Sequence, residues 1–450
     1  MTSLTEPITV GGVEIPNRLY RAPLLECAGN GPDAVETLID ELEPAAESGV
    51  GLLFQGASIV TDGSGCAAPN MTRVHDPAFV AQLERLTDAV HGHGGRIFIQ
   101  LAHGGLRSME VWHDEYRERH PDYRQAAVSR PPWQLRALDR AGVLDLDPRV
   151  LSTAEVYDLA ESFGRSAGYA VDAGYDGIHL SAANMSLIQQ FLSPFYNRRS
   201  DEFADGVRFL EVVHDSIREH AGDVPLVTKV PAETAAPRFV RRHLTRGDAV
   251  SIAERLAEIG YDALVPVEVS TIWDMSIVRG KYPERAWAAS DLQSEYEAVF
   301  GGRVRTGLVR VLNRLQARRF GDEPGWNADL CRAVRERVDV PVLCEGGLRE
   351  REHCERILGG AATGAEDGDR RDPAADMVGM GRPFYAEPRL GARLLDGGDA
   401  LCENCNNCAV PQVTGEPGRC RTPSVVRKRA TLERAGAYER EETDGPTPEE

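Results

Sequence analysis

Residues 174–203 read GYDGIHLSAANMSLIQQFLSPFYNRRSDEF. The apolar run at 177–181 has the continuous hydrophobicity of a parallel strand that is buried on both faces. Similar runs recur along the chain, each followed by an amphipathic helical pattern, at 18–23, 51–56, 96–101, 225–230, 263–267, 341–344 and 377–379. Eight strands that alternate with helices predict an α/β fold, the TIM (β/α)8 barrel.

The composition limits the classes of partner. The 450 residues include 70 Asp and Glu but 51 Lys and Arg, which gives a formal net charge of −19. This charge argues against nucleic-acid and anionic-membrane partners. No basic-then-apolar leader and no apolar run of ~18 residues is present, so we expect a cytoplasmic protein. Lysine is rare, with Lys229, Lys281 and Lys428 the three examples.

The connections suggest how the chain is divided. Residues 102–151 and 270–325 are too long for plain crossovers, and long loops after barrel strands commonly grip substrate. The charged segment 364–373 reads as a solvated insertion. We therefore predict a barrel at 1–395, a small Cys-rich extension at 396–432 and a disordered acidic tail at 433–450.

Four of the nine cysteines lie close together near the C-terminus, in the pattern C-x2-C-x2-C-x11-C formed by Cys402, Cys405, Cys408 and Cys420. Four thiolates can converge on one metal centre, and both Fe–S clusters and zinc accept them. Three close cysteines and one distant cysteine favour Fe–S, since zinc sites more often pair two and two. Unmetallated thiols are the remaining alternative.

Three stretches resemble the Old Yellow Enzyme family of FMN-dependent NADH:flavin oxidoreductases. They are ITVGGVEIPNRLYRAP at 8–23, HGHGGRIFIQLAHGG at 91–105, and the opening stretch at 174–203, with its ordered run QFLSP, NRR and DE. The resemblance covers roughly residues 5–390. It implies a TIM barrel with FMN at the carboxyl ends of the strands, in agreement with the strand pattern.

The resemblance also implies which residues bind FMN. Pro23 and Leu24 would lie beside the isoalloxazine, with Gly56 presenting backbone to it. Leu25 takes the flavin-contacting position where the family has a Thr or Cys that tunes the flavin potential, and its side chain cannot hydrogen-bond. Gln100 would pair with the pyrimidine edge, because an amide matches a donor and an acceptor together. Lys229 would lie near N1 and O2, where a cation stabilises reduced flavin; its alternative is a surface lysine. The phosphate would rest on the turns after the last two strands, formed by Gly346, Gly347, Gly381 and Arg382.

The catalytic positions depart from the family pattern. The family's ene-reductases use a His, then a His or Asn, and a Tyr, and the aligned residues here are Ser181, Asn184 and Ser186. We expect Ser181 and Asn184 to orient the substrate. Glu26 and Cys27 are candidate proton donors, against a structural salt bridge for Glu26 and packing for Cys27. His179 is close by, and its simpler interpretation is a histidine satisfied inside the barrel.

The resulting hypothesis is an FMN-dependent oxidoreductase that moves hydride between a small organic substrate and flavin N5. Larger members of the family, the 2,4-dienoyl-CoA reductase and trimethylamine dehydrogenase group, carry a [4Fe–4S] cluster at the place of the cysteines. The resemblance therefore implies such a cluster, with NAD(P)H as a candidate donor and a separate electron-transfer protein as a candidate partner. We also expect a homo-oligomer. The alternatives are a lyase or aldolase that uses Lys229 as a Schiff base, and a non-catalytic electron-transfer or scaffold subunit.

Overall fold

Eight short apolar segments pair side by side as parallel strands and close into a TIM barrel. The computed structural model describes residues 2–237, 240–269, 279–359 and 372–439. The twelve strands within them are β1 (Ile8–Val10), β2 (Val13–Ile15), β3 (Leu19–Arg21), β4 (Leu52–Ile59), β5 (Arg96–Ala102), β6 (Gln125–Ala127), β7 (Pro148–Val150), β8 (Gly177–Leu180), β9 (Leu226–Ala232), β10 (Ala263–Glu268), β11 (Leu343–Glu345) and β12 (Met377–Met380). The barrel runs β3-β4-β5-β8-β9-β10-β11-β12, so every one of the eight predicted barrel strands is confirmed.

Helices alternate with the barrel strands and also fill the long connections. In chain order they are α1 (Ala34–Glu47), α2 (Pro77–Val80), α3 (Glu84–Gly92), α4 (Asp114–Arg119), α5 (Trp133–Arg140), α6 (Thr153–Asp172), α7 (Leu187–Leu192), α8 (Gly206–Ala221), α9 (Arg246–Ile259), α10 (Glu284–Ala288), α11 (Gln293–Val299), α12 (Arg303–Arg319), α13 (Ala328–Arg335), α14 (Arg351–Ile357), α15 (Arg382–Ala386), α16 (Leu390–Leu395) and α17 (Pro423–Arg434). Helix α6 begins at a capping box in which Ser152 and Glu155 satisfy each other's backbone N–H groups.

The barrel has an apolar interior and an apolar outer layer. Tyr20, Phe54 and Phe98 fill the interior with edge-to-face contacts at 5.5 and 5.7 Å between ring centroids. Neighbouring residues of a strand point to opposite faces, so Leu53 packs outward against the helices while Phe54 points inward. Both faces of each strand are therefore apolar, which explains the continuous hydrophobic runs in the sequence.

The closure between β10 and β11 is the narrowest pairing of the barrel. It consists of one parallel bridge, Leu264 with Val342, in which the Leu264 N–H donates to the Pro341 carbonyl at 3.0 Å. The buried Asn327 side chain completes it. Its Oδ1 accepts from the Glu268 N–H, and its Nδ2 donates to the Glu345 carbonyl, both at 2.7 Å. The Asn327 side chain thus supplies hydrogen bonds between β10 and β11 that longer backbone pairing would otherwise provide.

The long connections and the C-terminal part carry further structure. Residues 102–151 contain α4, α5 and the small β6–β7 sheet, whereas 270–278 of the second connection lie outside the described residues. Residues 364–371 of the predicted insertion and 440–450 of the predicted tail lie outside them as well. The described part of the predicted tail, 433–439, contacts the protein: the Tyr438 hydroxyl donates to Glu387 at 2.7 Å. Within the described ranges, no helix is both long and apolar enough to cross a membrane.

Candidate active site

Polar side chains from several strands lie at the carboxyl end of the barrel. Gln100 is near the end of β5, Lys229 is on β9, and Glu345 ends β11, while residues 23–27 follow β3. Because these strands are parallel, their carboxyl ends share one edge of the barrel. The edge is the one at which TIM barrels carry their sites.

Gln100 is held by His179 of the neighbouring strand. Its Nε2 lies 2.8 Å from His179 Nδ1, and both side chains are buried. Burial holds the pKa of His179 well below its usual range, and the charge of Lys229 lowers it further. A neutral imidazole accepts at Nδ1, so the Gln100 amide donates one hydrogen to it. No other described residue bonds the Gln100 amide, so its second hydrogen and Oε1 can pair with a ligand.

Lys229 forms an ion pair with Glu345. The ammonium contacts Glu345 Oε1, and the lysine is 6% exposed. The second oxygen, Glu345 Oε2, is buried and has no hydrogen-bond partner among the described residues. The cation that the sequence assigned to the flavin is therefore balanced by an acidic residue that was not predicted.

Glu26 links the loop after β3 to β4. Its Oε1 accepts from Arg21 Nη1 and its Oε2 from the Gly56 N–H, both at 2.9 Å. Burial raises the pKa of Glu26, and the Arg21 charge opposes that rise. A Cβ on Gly56 would lie 1.5 Å from the Leu24 carbonyl oxygen, so only glycine allows this approach. The contacts match the salt-bridge interpretation of Glu26.

The neighbouring residues of this loop are partly open. Pro23, Leu24 and Leu25 are each half-buried, as expected of side chains beside a ligand. The Leu25 carbonyl accepts from the Tyr385 hydroxyl at 2.9 Å and from Gln412 Nε2 at 2.7 Å. Two residues after Leu25, burial raises the pKa of the Cys27 thiol to about 12, so this thiol keeps its proton at neutral pH.

The glycine turns stand at the ends of β11 and β12. Gly346 and Gly347 have φ values of +117° and +72°, and a Cβ on Gly346 would lie 2.8 Å from the Trp326 ring. Both the backbone conformation and the ring therefore require glycine. Within the described ranges, the N–H groups of Gly346, Gly347 and Gly381 donate no backbone hydrogen bond. Free N–H groups on glycines are what a phosphate needs.

Arg382 begins α15 directly after Gly381, but its side chain turns to the C-terminal extension. Its Nη1 donates to Asn406 Oδ1, and it lines a cavity together with the four clustered cysteines. The sequence analysis grouped Arg382 with the phosphate-binding glycine turns, but in the structure its side chain lies at the cysteine cavity.

Ser181 and Asn184 lie in the turn between β8 and α7. The Ser181 N–H donates to the Leu101 carbonyl at 3.0 Å, and Asn184 has a φ of +54°. Arg107 Nη1 donates to the Asn184 carbonyl at 2.5 Å and so holds this turn against the loop after β5. The two candidate substrate contacts therefore follow the strand that carries His179.

The motif that follows supports the site instead of lining it. The Gln190 side chain accepts from the Leu106 N–H at 3.1 Å and donates to the carbonyls of Gly104 and Met185 at 3.1 and 2.7 Å. Glu233, at the end of β9, accepts from the Ser193 hydroxyl at 2.9 Å. The long run QFLSP thus fastens the loops after three strands to one another.

The four clustered cysteines line one cavity between the barrel and α17. Asn404 and Asn406 have φ values of 52° and 58°, which turns the chain back between successive cysteines; asparagine tolerates this conformation. The Asn407 Nδ2 donates to Cys405 Sγ at 3.2 Å, and the Thr422 hydroxyl lies 3.0 Å from the same sulfur.

The thiols affect one another and Arg382. The pKa of Cys408 is raised to about 12, chiefly by burial; the charge of Arg382 opposes this rise, and the charges of the other three clustered cysteines add to it. A cation bound beside Cys408 would favour loss of its proton. Among the described residues, however, no three His, Cys, Asp or Glu side chains form a group that could hold a single metal ion.

Sequence reasoning missed several residues that shape this edge. Glu345 directly precedes the Gly346–Gly347 turn, which is a signal that could have flagged it. Gln412 and Glu233 carry no such signal, because their partners lie 387 and 40 residues away in the chain.

A comparison with protein families places the chain. The profile of the NADH:flavin oxidoreductase / NADH oxidase family matches residues 3–295. The chain belongs to this family. The resemblance seen in the sequence is therefore confirmed, and the barrel edge described above lies largely inside the matched part.

Individual relatives differ in length. The chain is 25% identical to an NADH oxidase of Thermoanaerobacter brockii over 414 residues, 90% of this chain and 52% of that one. It is 25% identical to the 4,4'-dithiodibutanoate disulfide reductase of Rhodococcus erythropolis over 440 residues, 96% of this chain and 98% of that one. The chain thus spans about half the length of the first relatives it matches, but nearly the whole of the Rhodococcus enzyme.

Solved structures share the fold. Histamine dehydrogenase from Rhizobium sp. 4-9 superposes with a TM-score of 0.66 at 21% identity, covering 94% of this chain and 53% of that chain. At this identity the likeness concerns the fold, which agrees with the TIM barrel found here.

Proposed function

We propose that this protein is an FMN-dependent oxidoreductase that moves hydride between a small organic substrate and the flavin, with electrons passed through a [4Fe–4S] cluster in the C-terminal extension. One observation carries the proposal. Gln100, Lys229 and the glycine turns after β11 and β12 lie at the same edge of a barrel whose sequence belongs to a flavin family.

The residues present fit FMN. The free amide atoms of Gln100 and the cation of Lys229 would hold the ring, and the N–H groups of Gly346, Gly347 and Gly381 would hold the phosphate. Bound FMN supplies the hydride-accepting ring that no amino-acid side chain offers.

The chain's own residues would perform the remaining tasks. Lys229 favours negative charge beside it, and the apolar Leu24 and Leu25 exclude water from the ring. The Ser181 hydroxyl and the Asn184 amide can orient a polar group of the substrate. Cys27 holds its proton, but a pKa raised to about 12 makes it a weak proton donor, and both oxygens of Glu26 are already engaged. Without the family's His and Tyr, we do not expect its enone reduction to be the main activity.

The lining of the cysteine cavity supports a four-thiolate group. Cys402, Cys405, Cys408 and Cys420 line it together, Asn407 Nδ2 donates to Cys405 Sγ, and the Thr422 hydroxyl lies 3.0 Å from the same sulfur, the kind of contact that tunes Fe–S potentials. A bound cluster supplies one-electron transfer. Zinc is the alternative ligand, and metal analysis distinguishes the two.

The Schiff-base alternative is weaker on contacts. A Schiff-base lysine needs an amine that is free to attack a carbonyl, whereas the Lys229 side chain is engaged in an ion pair with Glu345. The non-catalytic alternative predicts that no substrate bleaches the bound flavin.

The electron donor and substrate follow from the relatives. NAD(P)H is the donor we propose, since the Thermoanaerobacter relative is named an NADH oxidase. The relative of equal length is named a disulfide reductase, so an organic disulfide is the first substrate to assay. A separate electron-transfer protein is the proposed partner of the cluster.

The test is anaerobic purification, a visible spectrum, and analysis of iron, sulfide and zinc. We expect a flavin band and about four irons per chain. Gln100→Leu should weaken FMN binding about tenfold, while the exposed Gln82→Leu should not. Cys405→Ser should lose iron and keep flavin, and Cys354→Ser should keep both.

Each part of the proposal has its own contrary result. Failure to bind FMN after reconstitution would overturn the flavin assignment. Flavin without iron would remove the cluster and leave the barrel chemistry, and zinc in place of iron would make the extension structural.

A further inference from the structure

Helix α12 exposes an apolar stripe. Val304, Leu308, Val311, Leu312 and Leu315 are each between 46% and 88% exposed. Positions 304, 308, 311 and 315 follow one another at separations of four, three and four residues, which is the spacing of a coiled-coil seam. Contiguous exposed apolar surface of this kind marks an interaction site more often than single exposed residues do.

The same helix is strongly basic. It contains six arginines and no acidic residue, in a chain whose formal net charge is −19. Arg305 and Arg314 occupy the positions that flank the stripe, where coiled coils place the charges that select a partner. Whatever covers the stripe must tolerate or attract this positive charge.

The opposite face anchors the helix to the protein. The Thr306 hydroxyl donates to the Tyr296 carbonyl at 3.2 Å, and Trp287 Nε1 donates to Asn313 Oδ1 at 2.9 Å. Trp287 in turn belongs to an apolar cluster with Val410, which lies two residues after the third clustered cysteine. The stripe is therefore presented on a fixed support that reaches the Cys-rich extension.

We infer that the outer face of α12 is a docking surface for a different protein that contributes an acidic amphipathic helix. Leucine-type residues of that helix would fill the seam, and its flanking Glu or Asp residues would face Arg305 and Arg314. The inference goes beyond the proposed function and does not require that the extension hold a cluster.

Other occupants fit less well. A second copy of α12 would place arginines against arginines along the seam. An anionic membrane would have to approach a protein of net charge −19, and the stripe lacks the aromatic residues typical of interfacial helices. The acidic residues 441–450 include two prolines and no large apolar side chain, so they cannot fill the seam.

The test measures binding of two synthetic peptides to the full chain by fluorescence anisotropy. Both peptides have about four heptads with Leu at a and d, and they differ in carrying Glu or Lys at e and g. We expect the Glu peptide to bind and the Lys peptide not to bind. Raising salt from ~0.05 M to ~0.5 M should weaken the Glu peptide severalfold, because the charge contacts are exposed.

Variants assign the binding to α12. Leu308→Ser and Leu315→Ser should each weaken the Glu peptide about tenfold, and Arg305→Glu should weaken it too. Val143→Ser, an equally exposed apolar site elsewhere, should have no effect. These side chains are exposed, so the fold is retained, which circular dichroism checks.

Several results would overturn the inference. They are equal binding of both peptides, binding of neither, or binding that survives Leu308→Ser and Leu315→Ser. Flotation with vesicles that contain anionic phospholipid, if abolished by the same variants while no peptide binds, would identify a membrane instead. A dimer that Leu315→Ser converts to monomer in light scattering would identify a second copy.

Discussion

At the scale of single residues, the pair Lys229 and Glu345 sets the charge of the proposed flavin edge. Both side chains are largely buried, and they form an ion pair with each other. A lysine alone would favour reduced, anionic flavin, whereas the carboxylate offsets that effect. In the proposed site, Glu345 would therefore temper the oxidising power that Lys229 gives to a bound flavin.

Replacing this carboxylate tests the balance. In Glu345→Gln the cation is unopposed, so we expect the flavin midpoint potential to rise by about 30 mV or more, equivalent to about 1.4 kcal/mol for two electrons. Redox titration against dyes measures it. The exposed Glu352→Gln serves as the control, and an unchanged or lower potential in Glu345→Gln would show that the carboxylate does not act on the flavin.

Gly56 gives a second test at this scale. A methyl group there would collide with the Leu24 carbonyl and with Glu26, so Gly56→Ala should lower the free energy of unfolding by about 3 kcal/mol. Gly63→Ala has open space around the new methyl group and should change it by less than about 0.5 kcal/mol. Urea unfolding compares the two, and equal effects would contradict the close approach at Gly56.

At the scale of elements, Glu233 joins the end of β9 to the segment after α7. Its oxygens accept from Ser193, from Gln189 and from the Leu244 N–H. Burial raises its pKa from 4.5 to about 7, which the three hydrogen bonds oppose. The folded state thus holds a proton that the unfolded state has released between about pH 4.5 and 7.

The stabilisation is therefore complete below pH 4.5 and is lost as pH rises through about 7. Glu233→Gln removes this dependence, so the free energy of unfolding of the variant should gain on wild type by up to about 3 kcal/mol between pH 5 and 8. Denaturant titrations at several pH values measure the difference. Parallel pH profiles for the two proteins would mean that Glu233 ionises normally.

At the scale of the whole molecule, sequence patterns predict the barrel but not the long-range side-chain contacts that join its strands and its C-terminal extension. Runs such as 225–230 predict strands because both faces of a barrel strand are buried. The match of Gln100 and Lys229 to a family predicts that both side chains lie on barrel strands, and the structure has them on β5 and β9. No local pattern predicts that Lys229 meets Glu345, 116 residues away, or that Arg382 turns toward Asn406, since closure of the barrel and packing of the extension create those contacts.

Asn327 shows how much such a contact matters. Asn327→Ala leaves two strand-end groups, the buried Glu268 N–H and the partly buried Glu345 carbonyl, without the partner that Asn327 supplies, and should lower the free energy of unfolding by about 2–4 kcal/mol. Asn30→Ala removes the same pair of amide bonds, to Arg73, at the surface and should cost less. Hydrogen exchange of the Leu264 amide should accelerate in Asn327→Ala alone; acceleration in neither variant would contradict this role.

The narrow β10–β11 pairing gives the Lys229–Glu345 ion pair a second role, as a contact across the barrel wall. Lys229 belongs to β9 and Glu345 to β11, with β10 between them. The ion pair therefore spans the β10–β11 pairing, which is the narrowest of the barrel. An anionic group that draws Lys229 toward itself would weaken the Lys229–Glu345 ion pair. We therefore expect binding of such a group to weaken the contact between β9 and β11 across this pairing.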